Sequence, residues 1–169
     1  MKSTFNLKLQ FANVGLAAAL TVAGSAVAQT LPKEGSYDIT SCWSGVMNLI
    51  AFSKTYSAYS LEMTGTIISN PPGGMFDKMS YRCVLMRTSF DGKYTGHTVC
   101  ESIDPDGDKR LTNFSSASEG KAIRETVAGT GKYEGMVESG TVTSLGPFPV
   151  IKPGALQDCQ HQTGTYKLK

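Results

Sequence analysis

Histidine is scarce in this chain: its 169 residues contain two, His97 and His161, and neither has an identifiable nucleophile partner. No Gly-x-Ser-x-Gly elbow is present, so the strained turn that exposes a hydrolase serine is missing. No G-x-x-x-x-G-K-[ST] run exists to wrap backbone amides around a phosphate. No C-x-x-C pair exists, which argues against a zinc site built from cysteines with His97 or His161. No stretch of residues 29–169 reads as a convincing helix.

Net charge is also low. The chain carries 16 basic and 14 acidic residues, and two of the basic ones, Lys2 and Lys8, lie in a segment that reads as an address. Lys2 and Lys8 supply a positive start, Val14 to Val22 is apolar, and Ala26 and Ala28 occupy the small-residue positions before a cut at Gln29. The expectation is a signal peptide over residues 1–28 and one domain over residues 29–169. The apolar run is too short for a bilayer core of roughly 30 Å, and no later segment attempts a membrane span. With Lys2 and Lys8 removed, 14 charges of each sign remain, so nothing favours nucleic acid or an anionic surface as a partner. The chain reads as periplasmic or secreted.

All four cysteines, Cys42, Cys83, Cys100 and Cys159, fall in residues 29–169, and an even count in an exported protein predicts two disulfides. Spacing alone leaves three pairings open. Asp91-Gly92 separates two strand-like runs and is a strong two-residue hairpin signal. A turn there places Cys83 directly opposite Cys100 and Arg82 opposite Glu101 on the other face. Cys42 and Cys159 then pair by exclusion, tying the first strand to the last.

Sixteen glycines remain after Gly15 and Gly24 leave with the address, and they punctuate short alternating segments. Strand-like runs begin at Tyr37–Trp43 and Ala58–Ile68, flank the Asp91-Gly92 turn, and end with "CQHQTGTYKL". About eight such runs predict an all-β fold: a small closed eight-stranded antiparallel barrel. A two-sheet sandwich is the competing architecture. Gly65 reads as a bend within its strand. In "GTGKYEG", Gly129 and Gly131 permit positive φ or close backbone approach, and Tyr133 tucks beneath the interruption, which makes the stretch a barrel corner.

"GTGKYEGMVESGTV" with "IRETVA" before it, the terminal "GTYKL", the "CW" after the first strand and "CESIDPDGDK" together resemble exported bacterial allene-oxide-cyclase-barrel-like proteins, within the allene oxide cyclase and dirigent superfamily. The resemblance covers most of residues 29–169. It implies a closed barrel with a central cavity and, as in plant relatives, assembly into oligomers. The plant activities do not carry over, because their functional residues lie at cavity positions that these motifs do not anchor.

Asp104, Asp106 and Asp108 alternate as calcium ligands do, but Lys109 and Ser115 stand where an EF-hand has Gly and Glu. The segment reads as a turn, with a weak calcium site as the alternative. Glu62, Glu101 and Glu125 are the carboxylates that would act as acid or base if turned inward. Met47, Met63, Met75, Met79 and Met86 read as soft packing around an irregular cavity. Asn113 begins a glycosylation sequon. These features predict a non-catalytic barrel, without a cofactor or bound metal, that takes a small apolar ligand or an envelope partner through its cavity or rim. The alternatives are a cyclase or isomerase working inside the barrel, and a periplasmic inhibitor docking through residues 70–78 or 145–154.

Overall fold

A computed structural model describes residues 31–117 and 123–169 of the chain; the segment read as a signal peptide lies outside the described residues. Eight strands follow in chain order: β1 (Glu34–Ala51), β2 (Tyr56–Ser69), β3 (Met79–Phe90), β4 (Lys93–Ile103), β5 (Lys109–Ala117), β6 (Ile123–Gly129), β7 (Val137–Ser144) and β8 (Ala155–Lys167). They form one antiparallel sheet ordered β6-β5-β4-β3-β2-β1-β8-β7, which curls into a nearly closed barrel and excludes the sandwich. The only helical element among the described residues is one 3-10 turn, Gly131–Tyr133. None of the described helices is long and apolar enough to cross a membrane, which says nothing of strands.

The first and last strands are full ladder partners, from Glu34 opposite Lys167 to Val46 opposite Ala155. Closure therefore falls elsewhere than at the chain's ends. β6 and β7 are the two edges of the sheet, and side chains bridge the seam between them.

A sheet of this width needs sharp local bending, and three cross-strand glycine–tyrosine pairs provide it. Gly65 lies opposite Tyr81, Tyr37 opposite Gly164, and Gly35 opposite Tyr166. A Cβ on Gly65 would collide with the Cys42 carbonyl and the Tyr81 ring. One on Gly164 would strike the Ser139 carbonyl and the Tyr37 ring. Each ring lies over the space its glycine leaves.

One end of the barrel is filled. Tyr37, Ile39, Met79, Tyr133 and Tyr166 pack with Met75 and Phe76 into a buried cluster. Met75 and Phe76 come from the Pro- and Gly-rich loop of residues 70–78, one of the two contact loops of the inhibitor alternative. It folds inward instead, with Phe76 only 1% exposed. Phe76 (φ 69) and Lys78 (φ 56) take left-handed backbone, and the Asp77 carboxylate accepts the Ser69 and Gly73 amides at 2.9 Å each. Those bonds hold the loop in its inverted course.

The GTGKY corner belongs to the same end. A Cβ on Gly129 would strike the Tyr133 carbonyl, and one on Gly131 (φ 51) the Asp108 carboxylate. Tyr133, 1% exposed, donates its hydroxyl to Asp104 Oδ2 at 3.0 Å.

Asp91 (φ 52) and Gly92 (φ 76) turn β3 into β4, placing Phe90 opposite Lys93 and Cys83 opposite Cys100. Both expected disulfides are present, Cys83–Cys100 and Cys42–Cys159, each joining directly opposed residues with Cα atoms 4.0 Å apart. The first faces the interior; the second lies on the outer wall beside Phe148. Two disulfides mark a protein that matures in oxidising, extracytoplasmic surroundings.

The open half of the barrel as candidate ligand site

Above the filled end the lumen is hollow. The cavity measures about 450 Å³, within the range of small-molecule sites. Alternation along the strands sends Trp43, Leu61, Met63, Leu85, Phe114 and Leu156 inward as its apolar wall. The Cys83–Cys100 bridge lies in the same wall.

Its floor is polar. Arg110 on β5 and Arg124 on β6 converge on Glu138 of β7: Arg110 Nη1 donates to Oε2 at 2.7 Å, and Arg124 Nη2 lies 3.1 Å from the same oxygen. Thr126 Oγ1 donates to Oε1 at 2.9 Å. These bonds span the seam between the sheet's two edges. Arg124 Nη1 also donates to Gln162 Oε1 at 2.8 Å and to the Tyr37 hydroxyl at 3.2 Å. Gln162 in turn donates to Ser41 Oγ at 2.9 Å. Arg110 lies over the plug, its guanidinium carbon 4.1 Å from the Phe76 ring centre.

The side chains of Arg110 and Glu138 are 3% and 0% exposed. Burial draws the Arg110 guanidinium down to about 10, against the opposing pull of Glu138, so it is charged at neutral pH. Burial also lifts Tyr81 to about 12 and raises Tyr37, keeping both as neutral hydroxyls. Arg87 lies nearer the mouth, between the Tyr59 and Tyr94 rings at 6.0 and 5.8 Å.

The carboxylates singled out from sequence lie elsewhere. Glu62 pairs with Arg82 on the outer wall at 2.8 Å, and Glu101 with Lys109 at 2.8 Å. Glu125 accepts the Asn113 amide, also in an exposed position. His97 is exposed, and His161 Nε2 meets Asp38 Oδ1 at 2.9 Å on the outer wall. Asp104, Asp106 and Asp108 are engaged by protein partners. Asp104 takes the Asp106 and Asp108 amides on one oxygen, and Tyr133 with Lys132 Nζ (2.7 Å) on the other. Asp106 binds Lys132 Nζ at 2.8 Å, and Asp108 accepts the Lys132 amide. The ammonium of Lys132 thus stands between the carboxylates where a cation would.

The interior residues that sequence reasoning missed are Arg110, Arg124 and Glu138. Each has one apolar and one polar neighbour in its strand, so the pattern does not reveal which face is inside.

The β1–β2 and β3–β4 tips lie at the open end. The β7–β8 loop of residues 145–154 runs beside the outer wall, with Phe148 near Cys42–Cys159 and the Pro149 carbonyl accepting the Gln157 side-chain amide. β1 continues past β8 to Ala51, well beyond its predicted end at Trp43. Phe52 at its tip and Ile151 in the β7–β8 loop are 87% and 90% exposed. The Asp91 amide donates to the Thr55 carbonyl, tying the two tips together.

The chain matches no family model, no curated protein and no solved structure, so the reading of this site rests on its own geometry.

Proposed function

We propose that this chain is an exported, periplasmic or secreted, non-catalytic barrel that carries or sequesters a small, largely apolar molecule in its lumen. The carrying observation is the division of the barrel into a plugged end and a hollow one. Phe76, Tyr133 and Met79 fill the first, while the second keeps about 450 Å³ behind an apolar wall. A protein that needed only stability would gain by filling that space, since each missing buried methylene costs dispersion and transfer energy. Kinship with exported allene-oxide-cyclase-barrel-like proteins belongs to this reading, supported by the resemblance of the GTGKY corner and by the eight-stranded barrel.

The chain's single tryptophan, Trp43, lines the cavity and reports directly on its contents. Titrating the disulfide-intact protein with 1-aminoanthracene should give saturable energy transfer from Trp43 with one probe per chain. Absence of transfer, together with no small molecule released on denaturing protein purified from its native compartment, would overturn the reading.

A further inference from the structure

We propose that the lumen selects an amphipathic monoanion, whose carboxylate is held by Arg110 and Arg124 while its apolar body lies against the Leu61–Leu85–Leu156 wall. The inference rests on the lumen reading above and adds the ligand's chemical class and orientation.

Its first support is an imbalance of charge. Arg87, Arg110 and Arg124 line the cavity with Asp158, and Glu138 lies buried behind the floor, leaving one positive charge in excess. Asp158 accepts the Ser144 hydroxyl at 2.9 and 3.0 Å, and Glu138 is already shared between two arginines.

The second support is independent. Among the described residues, the buried side-chain polar atoms without a hydrogen-bond partner are the Nε atoms of Arg87, Arg110 and Arg124. All three arginines line this one cavity. Arg110 and Arg124 are more than nine-tenths buried, with side chains 3% and 8% exposed. Proteins rarely leave a buried donor unmatched, because each costs its full desolvation penalty. A carboxylate entering from the mouth would balance the charge at the part of these side chains that lines the lumen, and a planar guanidinium matches a carboxylate well. The order of the wall sets the orientation: the charged floor is deep, against Phe76, and the apolar belt lies between it and the mouth.

The test is a head-group series on one ten-carbon chain, followed through Trp43 emission: decanoate, decanol and decyltrimethylammonium. Decanoate should bind at least about tenfold more tightly than decanol, the yield of one charge-assisted hydrogen bond, and decyltrimethylammonium more weakly than either. Arg124→Lys keeps the charge but removes the planar guanidinium; it should lower decanoate affinity by a larger factor than decanol affinity and so erase most of decanoate's advantage. If that variant fails to fold, the series on the unaltered protein decides. Equal affinity for decanoate and decanol would overturn the inference and leave the lumen reading standing. Binding of neither would overturn both, and decanoate binding without a Trp43 response would place the anion site elsewhere and overturn the inference.

Discussion

The Arg110 guanidinium meets the Glu138 carboxylate at 2.7 Å across the seam between the two edges of the sheet. Elsewhere around the barrel, neighbouring strands are joined by backbone ladders. Here a buried ion group, with Arg124 as its third member, takes over that task.

Removing Glu138 would strand two buried cations. Glu138→Gln should destabilise the protein by about 3–5 kcal/mol, the cost of breaking a buried ion pair from one side. Glu62→Gln, on the exposed pair with Arg82, should cost less than about 1 kcal/mol. Urea denaturation of both variants measures the contrast.

Two titrations set the pH limits of the plugged end. Burial pushes Asp104 upward, but bonds from Lys132 and Tyr133 outweigh it and hold the folded pKa below the unfolded 3.8. Its stabilisation is therefore complete well above pH 3.8 and is lost as pH falls through the lower folded value. Burial, reinforced by Asp104, raises Tyr133 above 10, so its contribution is complete below pH 10 and is lost as pH rises through the folded value. Asp104→Asn should flatten the acid limb of a stability-versus-pH curve, and Tyr133→Phe the alkaline limb.

The two disulfides should behave differently. Cys42–Cys159 spans 117 residues and Cys83–Cys100 spans 17. In the loop-entropy account their removal costs nearer to about 4.7 and about 3 kcal/mol respectively. Cys83 and Cys100 are buried in the lumen wall, whereas Cys42 and Cys159 are partly exposed. Stepwise reduction with alkylation and mass analysis should therefore open Cys42–Cys159 first, although it is the more stabilising of the two.

Gly65 tests how the wall bends. Gly65→Ala puts a methyl group into the Cys42 carbonyl and the Tyr81 ring and should cost about 3 kcal/mol. Thr64→Ala, next along the same strand but facing outward, should stay within about 0.5 kcal/mol. Thermal melts of the two variants separate bend from strand.

Much of this architecture was legible wherever one local rule fixes a geometry. Asp91-Gly92 allows one tight turn, and that turn sets the β3–β4 register and the Cys83–Cys100 bond. Gly129 and Gly131 mark close approach, and Asp108 and the Tyr133 carbonyl make it. What was not legible depends on tertiary placement. The 70–78 loop has the composition of an outward turn, yet Asp77 folds it so that Phe76 points into the barrel. Glu62, Glu101 and Glu125 alternate as Glu138 does, and only the assembled sheet separates their faces. Arg110 follows the Asp104–Asp108 turn and Arg124 lies within IRETVA, but neither run says which face is inside, and both meet Glu138 only because the sheet curls.

The central claim is that the hollow half of the barrel is a ligand site rather than a packing defect. Selective methyl labelling of leucine tests it most directly, through intermolecular nuclear Overhauser contacts with bound decanoate. The account predicts contacts from the decyl chain to Leu61, Leu85 and Leu156 in the lumen wall and none to the exposed Leu49 and Leu145. Contacts to Leu49 or Leu145 alone, or to no leucine at saturating ligand, would contradict it.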